Sequence, residues 1–258
     1  MFRRTALILC AWLVFGSGSG LAAIECGPDG AVPVQVVDVS ARLELLLEDD
    51  RRILVAGIEA PPDAPLAERA QDKLVQLLIG GEASLRVLAG QPDRWGRVPA
   101  LVFAGQGAAG PAMVADAMLR AGLARIRVAP PPPCLAQLRA AEGFARDNGE
   151  GIWAEDATAV IDAAERAAFR GRQGTTLVVE GTAVSVNTSG YRTYVNFGPK
   201  RYSDFSVIVL KPNLKIFDKA GLSVQSLLGH KLRVRGMLDM QFGPQIEVAS
   251  PDAVEILD

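Results

Sequence analysis

Histidine is nearly missing from this 258-residue chain: His230 stands alone. One imidazole cannot build a histidine-rich metal site, and no serine or cysteine motif offers it a nucleophile to activate. Its place in LLGHKLRVRG, just before a strand, reads as a turn residue. Cysteine is scarce too, with three in all, and lone thiols without neighbouring histidines do not make a zinc centre. Long apolar runs are lacking beyond residue 15, so nothing after it predicts a membrane span, which takes ~20 apolar residues.

What is present begins with MFRRTALILCAWLVFGSGSGLAAIE. Arg3 and Arg4 precede an apolar stretch from Ala6 to Phe15, then a Gly/Ser region and small residues ending at Ala23. That is the pattern of a secretory signal peptide, residues 1–23, and it predicts a periplasmic or secreted protein cut near Ala23. Cleavage removes Cys10 and leaves Cys26 and Cys134, an even pair in an oxidising compartment, from which a disulfide is expected. Two unrelated buried thiols remain the alternative, because sequence does not show proximity. The roughly 235 remaining residues exceed a typical single domain. Charge divides them near residue 170: residues 24–169 hold 14 Lys/Arg against 21 Asp/Glu, and residues 170–258 hold 11 against 8. The first part should repel polyanions at long range and the second mildly attract them.

Apolar and β-branched runs in VPVQVVDVSARLELLLEDDRRILVAGIEAPP, broken at Asp49-Asp50, predict a hairpin of short strands. Leu66, Ala70, Leu74, Leu77 and Leu78 recur at helical spacing, with Gly80-Gly81 as the stop. Strands follow in ASLRVLA and VPALVFA around the turn GQPDRWGR. Two helices are predicted next, PAMVADAMLRAGLA, with Pro111 in its first turn, and CLAQLRAAEGFARDNGEGIW, after the stiff run Pro130–Pro133. Strands, helix, strands, helix, helix is an order that an OB-type five-stranded barrel accepts. Residues 155–172 read as an alanine-rich helical linker. From Thr175, TTLVVEGTAVSV, YRTYVNFG, DFSVIVL, a helical GLSVQSLLG, KLRVRGML and PQIEVAS predict a second OB-type barrel over 173–258. The fold class is thus mainly β with helices (α+β), two OB-type barrels with unit boundaries at 24–154 and 173–258.

Four segments of the first unit, ILVAGIEAPP, DRWGRVPALVF, MLRAGLARI and LRAAEGFARDNGEGIW, occur in the order and at the spacing of one family, and the unit resembles the thermonuclease (micrococcal-nuclease-like) family. The resemblance implies a barrel with thermonuclease-like helices. It also implies calcium-dependent phosphodiester hydrolysis, in which a carboxylate pair holds Ca²⁺, an acid positions water, and two arginines neutralise the phosphorane charge. The family's Asp-Gly-Asp-Thr ligand motif falls on Asp38-Val39-Ser40-Ala41, so its second aspartate is Ser40. The first arginine falls on Leu54, the next metal carboxylate on Glu59, and the base-like glutamate on Pro62; the other arginine is Arg97. One key position is kept, one keeps its charge, and three are replaced.

Arg52 shares a strand face with Leu54, and Asp38 with Ser40, but a two-residue step moves a group ~6.6 Å along a strand. Glu59, Arg97 and Arg52 are therefore the catalytic candidates, and Asp38 with Glu59 the metal candidates, a thin set for Ca²⁺. In the second unit, aromatics interleave with cations, and Arg192, Tyr194, Lys231, Arg233 and Arg235 are candidates for nucleic acid, since barrels of this type stack bases over basic grooves. Barrel core with ordinary solvated charges is the competing reading. Three functions stay open. One is an exported monomer with a degenerate site that binds single-stranded nucleic acid or a periplasmic protein; another is a calcium-dependent nuclease, DNA or RNA, with a rearranged site; the third is an envelope protein-interaction module.

Overall fold

The alternation of apolar and polar residues between Val32 and Val55 builds the first sheet of the protein, seen in a computed structural model that describes residues 26–88, 90–105, 110–128, 133–154 and 160–258. Strands β1 (Val32–Val34), β2 (Val36–Val39), β3 (Glu44–Leu47) and β4 (Arg52–Val55) are followed by the short β5 (Ile58–Glu59). The predicted break at Asp49-Asp50 is the β3–β4 turn: Asp50 takes φ 63°, and the Asp49 carboxylate accepts the Arg51 amide. Helix α1 (Ala64–Leu78) starts where Asp63 accepts the Leu66 amide, carries Pro65 in its first turn, and buries Leu66, Ala70, Leu74 and Leu78, an i, i+4 stripe. Strands β6 (Ala83–Val87), β7 (Arg97–Ala104) and β8 (Ala112–Met113), helix α2 (Val114–Arg120), strand β9 (Arg125–Ile126) and helix α3 (Leu135–Asp147) complete the unit.

The second unit comprises β10 (Ile161–Asp162), β11 (Thr176–Thr182), β12 (Ser185–Ser189), β13 (Arg192–Asn196), β14 (Ser206–Leu210), helix α4 (Lys211–Lys219), β15 (Lys231–Asp239), β16 (Gln245–Glu247) and β17 (Val254–Ile256). Both sheets are wired alike. In the first, β2–β3–β4 is an antiparallel meander, β4 pairs parallel with β7, and β7 leads through β6 to β1. In the second, β12–β13–β14 is the meander, β14 pairs parallel with β16, and β16 leads through β15 to β11. The described residues are mostly β-sheet with four α-helices, the sheets curled as half-barrels, in keeping with an OB-type α+β fold.

Several expectations need correction. Residues 155–159 of the expected helical linker lie outside the described residues, and the rest is not α-helix: Ile161–Asp162 pairs with β11, and Arg166–Phe169 is a 3-10 turn. Ile161, Ala163 and Phe169 are buried in the second core, because alanine's helix propensity yields to these apolar anchors. The helix expected from Pro111 begins at Val114, since Ala112–Met113 pairs with β7. The helix expected in GLSVQSLLG is only a 3-10 turn, Val224–Leu227; the α-helix lies just upstream at Lys211–Lys219. That helix is nine residues long with a short apolar face: Phe217 is fully buried and Leu214 packs partly buried against the same core. The segment read as a signal peptide lies outside the described residues. Among the described residues no helix is long and apolar enough to cross a membrane.

Candidate functional site

A cleft of about 420 Å³ opens on the outer face of the first sheet, walled by Arg42, Glu44, Arg52, Leu54, Trp95 and Arg97, with Ala60 and Arg127 at its edge. Period-two alternation explains the wall: Ile53 and Val55 are buried, so Arg52 and Leu54 face outward. Register brings the rest beside them, with Glu44 opposite Leu54 and Arg52 level with Arg97.

Arg97 is fully engaged. Its guanidinium donates to Glu44 Oε1 at 2.6 Å and to Asp93 Oδ2 at 2.9 Å, and lies 4.6 Å from the centre of the Trp95 ring. Asp93 Oδ1 also accepts the Trp95 and Arg97 amides, which closes the turn that presents the side chain. The hydrogen bond to Asp93, aided by Glu44, raises the Arg97 pKa against the opposing effect of burial; the same bond from Arg97 lowers that of Asp93.

The metal candidates are not brought together on this wall. Asp38 is exposed on β2, and neither it nor Glu59 lines the cleft. Ser40, where the expected family motif would have its second aspartate, caps the β2–β3 turn, its Oγ accepting the Arg42 and Glu44 amides. Glu59 pairs in register with Arg125 and lies near Arg127, while its carboxylate meets Thr176 of the second unit. Burial pushes its pKa up, against the pull of Arg127, the Thr176 hydrogen bond, Arg125 and Arg235. Among the described residues no three His, Cys, Asp or Glu side chains are grouped to hold an ion. A hard cation takes six to eight oxygens, and these carboxylates do not fit one.

Of the nucleic-acid candidates proposed in the second unit, Arg192 and Tyr194 lie on an outward cavity wall. Lys231, Arg233 and Arg235 do not join them, which corrects that grouping: they stand on β15, beside acids that neutralise them. Arg233 bridges Glu180 and Glu255, and Lys231 lies 3.9 Å from Glu180. Arg235 is 2% exposed and clamped between Glu142 of α3 at 2.8 Å and Glu255 at 2.8 Å. Burial works to lower the Arg235 pKa, and the two carboxylates overcome it, leaving the group above its ordinary value. Glu142 also accepts the Ile126 amide, Arg125 donates to the Thr176 carbonyl, and Arg139 donates to the Asp252 carbonyl. A charged seam therefore joins the two units, beside an apolar patch of Leu66, Ala145, Ile152, Trp153 and Val178.

Sequence reading did not identify Arg42, Glu44 and Arg127 as cleft residues, nor Glu142 as a buried ion. Alternation on β3 was the available signal for Glu44; nothing local marks Glu142, which sits on the buried stripe of α3. His230 is a turn residue that pairs with Asp258. Cys26 and Cys134 form a disulfide.

Comparison with known proteins agrees with this geometry. The family described as Staphylococcal nuclease homologue matches residues 52–155. The Arthroderma otae protein named "Probable endonuclease LCL3" is 33% identical over 114 residues, which cover 39% of this chain and 40% of that protein. The chain thus spans well under half the length of this curated relative. The match supplies Arg52, Leu54, Trp95, Arg97 and Arg127 to the cleft wall, while Arg42 and Glu44 precede it, and residues 52–155 are a thermonuclease-type (SNase) domain by this similarity.

Proposed function

We propose that this is an exported nucleic-acid-binding protein whose thermonuclease-type domain holds phosphate through arginines and does not hydrolyse it. The observation that carries this reading is the cleft wall: four arginines, Arg42, Arg52, Arg97 and Arg127, surround one carboxylate, Glu44, itself engaged by Arg97. Such a wall attracts a polyanion and lacks the oxygen ligands that family chemistry requires of its ion. The second unit is read as an OB-type barrel, supported by strand wiring that repeats the first. Export is supported by the N-terminal pattern and by the Cys26–Cys134 bridge, which suits an oxidising compartment.

A calcium-dependent nuclease with a rearranged site is the second reading. It is favoured by Arg97 at its family position and by Arg52 level with it on the neighbouring strand. Fluorescence anisotropy with labelled single-stranded DNA and RNA across a salt series, beside a degradation assay with calcium or chelator, separates the two. Expected are binding that weakens with salt, a log–log salt slope reduced by about 0.7 for each of Arg52→Ala and Arg127→Ala, and intact oligonucleotide. Calcium-dependent degradation that is lost in Glu59→Ala or Arg97→Ala would establish the nuclease instead. Absence of salt-sensitive binding would leave the protein-interaction module.

A further inference from the structure

A second cavity, about 810 Å³, lies on the outer face of β12 and β13. Register sets Ser189 opposite Arg192, Asn187 opposite Tyr194 and Ser185 opposite Asn196, so its floor is a polar row with one ring in it. Its rim comes from two loops, 198–204 and 240–244, and carries Tyr202 and Phe242, which are 60% and 51% exposed.

These rings are held out by the backbone. Tyr202 takes φ 66°, a left-handed conformation that is strained for a bulky residue. The opposite loop presses on it: Gly243 has φ 92°, and a Cβ there would overlap the Tyr202 carbonyl. Asp204 fastens the first loop by accepting the Lys200 amide at 2.7 Å and pairing with Arg166. Asp204 is the one carboxylate among the lining residues, its side chain is 8% exposed, and it is already paired, whereas Arg192, Lys200 and Arg201 are exposed. The Arg201 guanidinium lies 4.8 Å from the centre of the Tyr202 ring. Exposed cations beside exposed rings suit a ligand that alternates charge with flat unsaturated groups.

We propose that this cavity is a binding site for single-stranded nucleic acid, with unpaired bases stacked on Tyr194, Tyr202 and Phe242 and phosphates held by Arg192, Lys200 and Arg201. Duplex bases are stacked on one another and offer no free faces, so the site selects single strands. The inference takes its ligand class from the preceding reading and otherwise needs nothing from the first unit.

The test uses the full chain, with an oligo-dT strand, a duplex of equal length and heparin as probes. Tyr202→Ala and Phe242→Ala should each weaken oligo-dT binding between about 5-fold and 100-fold. Tyr202→Phe should keep it, and duplex and heparin binding should not change. Thermal midpoints verify that each variant is folded, and Phe242→Leu, which keeps apolar bulk without a ring, separates stacking from packing: it should behave as Phe242→Ala. If Tyr202→Ala and Phe242→Ala bind oligo-dT as the parent does while Arg52→Ala and Arg127→Ala lose affinity, this site is refuted and the arginine cleft stands alone. Loss confined to the ring variants supports the site and refutes the cleft. Equal losses toward heparin, or displacement of oligo-dT by a neutral oligosaccharide, would refute base stacking.

Discussion

Arg97 stands at a family position for phosphate, yet two carboxylates already hold it, Glu44 at 2.6 Å and Asp93 at 2.8 Å. A phosphate would have to compete with both. Glu44→Gln removes one competitor and one negative charge, so it should raise oligonucleotide affinity severalfold at low salt and steepen the salt dependence; anisotropy titrations check this. Glu59 gives a second expectation. Its folded pKa lies above the ordinary glutamate value of 4.5 because burial disfavours the charged form. The stability tied to its protonated form is complete below 4.5 and is lost as pH rises through the folded value. Glu59→Gln should therefore match the parent's thermal midpoint in acid and exceed it at neutral pH, and melting curves from pH 4 to 8 read the difference. Glu255 runs the other way. Burial would raise its pKa, and Arg235, Arg139 and Arg233 overcome that and lower it, so its contribution is present above 4.5 and fades as pH falls through the lowered value.

Helices α2 and α3 end against each other through two glycines. Gly122 has φ 61° and Gly151 has φ 54°, and a Cβ at either would overlap the other segment's backbone at the Glu150 or Gly122 carbonyl. Gly122→Ala or Gly151→Ala should cost about 2–4 kcal/mol in chemical denaturation, from strain and overlap together. Gly96→Ala, at φ 77° with open space around it, should cost only ~1–2 kcal/mol. This explains what was legible. MLRAGLARI and DNGEGIW are tightly specified because two backbones cross there, so the order of elements in the first unit could be read from them. Outward side chains of the cleft are not so constrained, and Leu54 or Pro62 can replace charged groups without disturbing the barrel. The helix at Lys211–Lys219 was illegible because its apolar face, Leu214 and Phe217, is too short to set a helical period. Glu142 was illegible for another reason: its partner Arg235 is 93 positions away, and only the folded chain brings the two together.

The two units are joined by more than a linker. Arg235→Met takes from Glu142 its nearest cation and leaves the longer pair with Arg146 at 3.9 Å, and breaking such a buried pair costs ~3–5 kcal/mol. Calorimetry should show one transition for the parent and two for the variant, if the seam is what makes the units melt together. The Cys26–Cys134 bridge closes a separation of 108 residues. By the loop-entropy account its removal in Cys26→Ser/Cys134→Ser should cost ~4–5 kcal/mol in denaturant titrations. The seam also bears on how separable the matched stretch is. A shared stretch that ends near residue 155 invites the view of a portable cassette, one that could be exchanged among proteins as a unit. Here Arg125 and Glu142, inside that stretch, have bound themselves to Thr176 and Arg235 outside it. Exchanging either half of the present molecule would take the Thr176 carbonyl from Arg125 and its nearest cation from Glu142, so the boundary near residue 155 is not a clean place to cut.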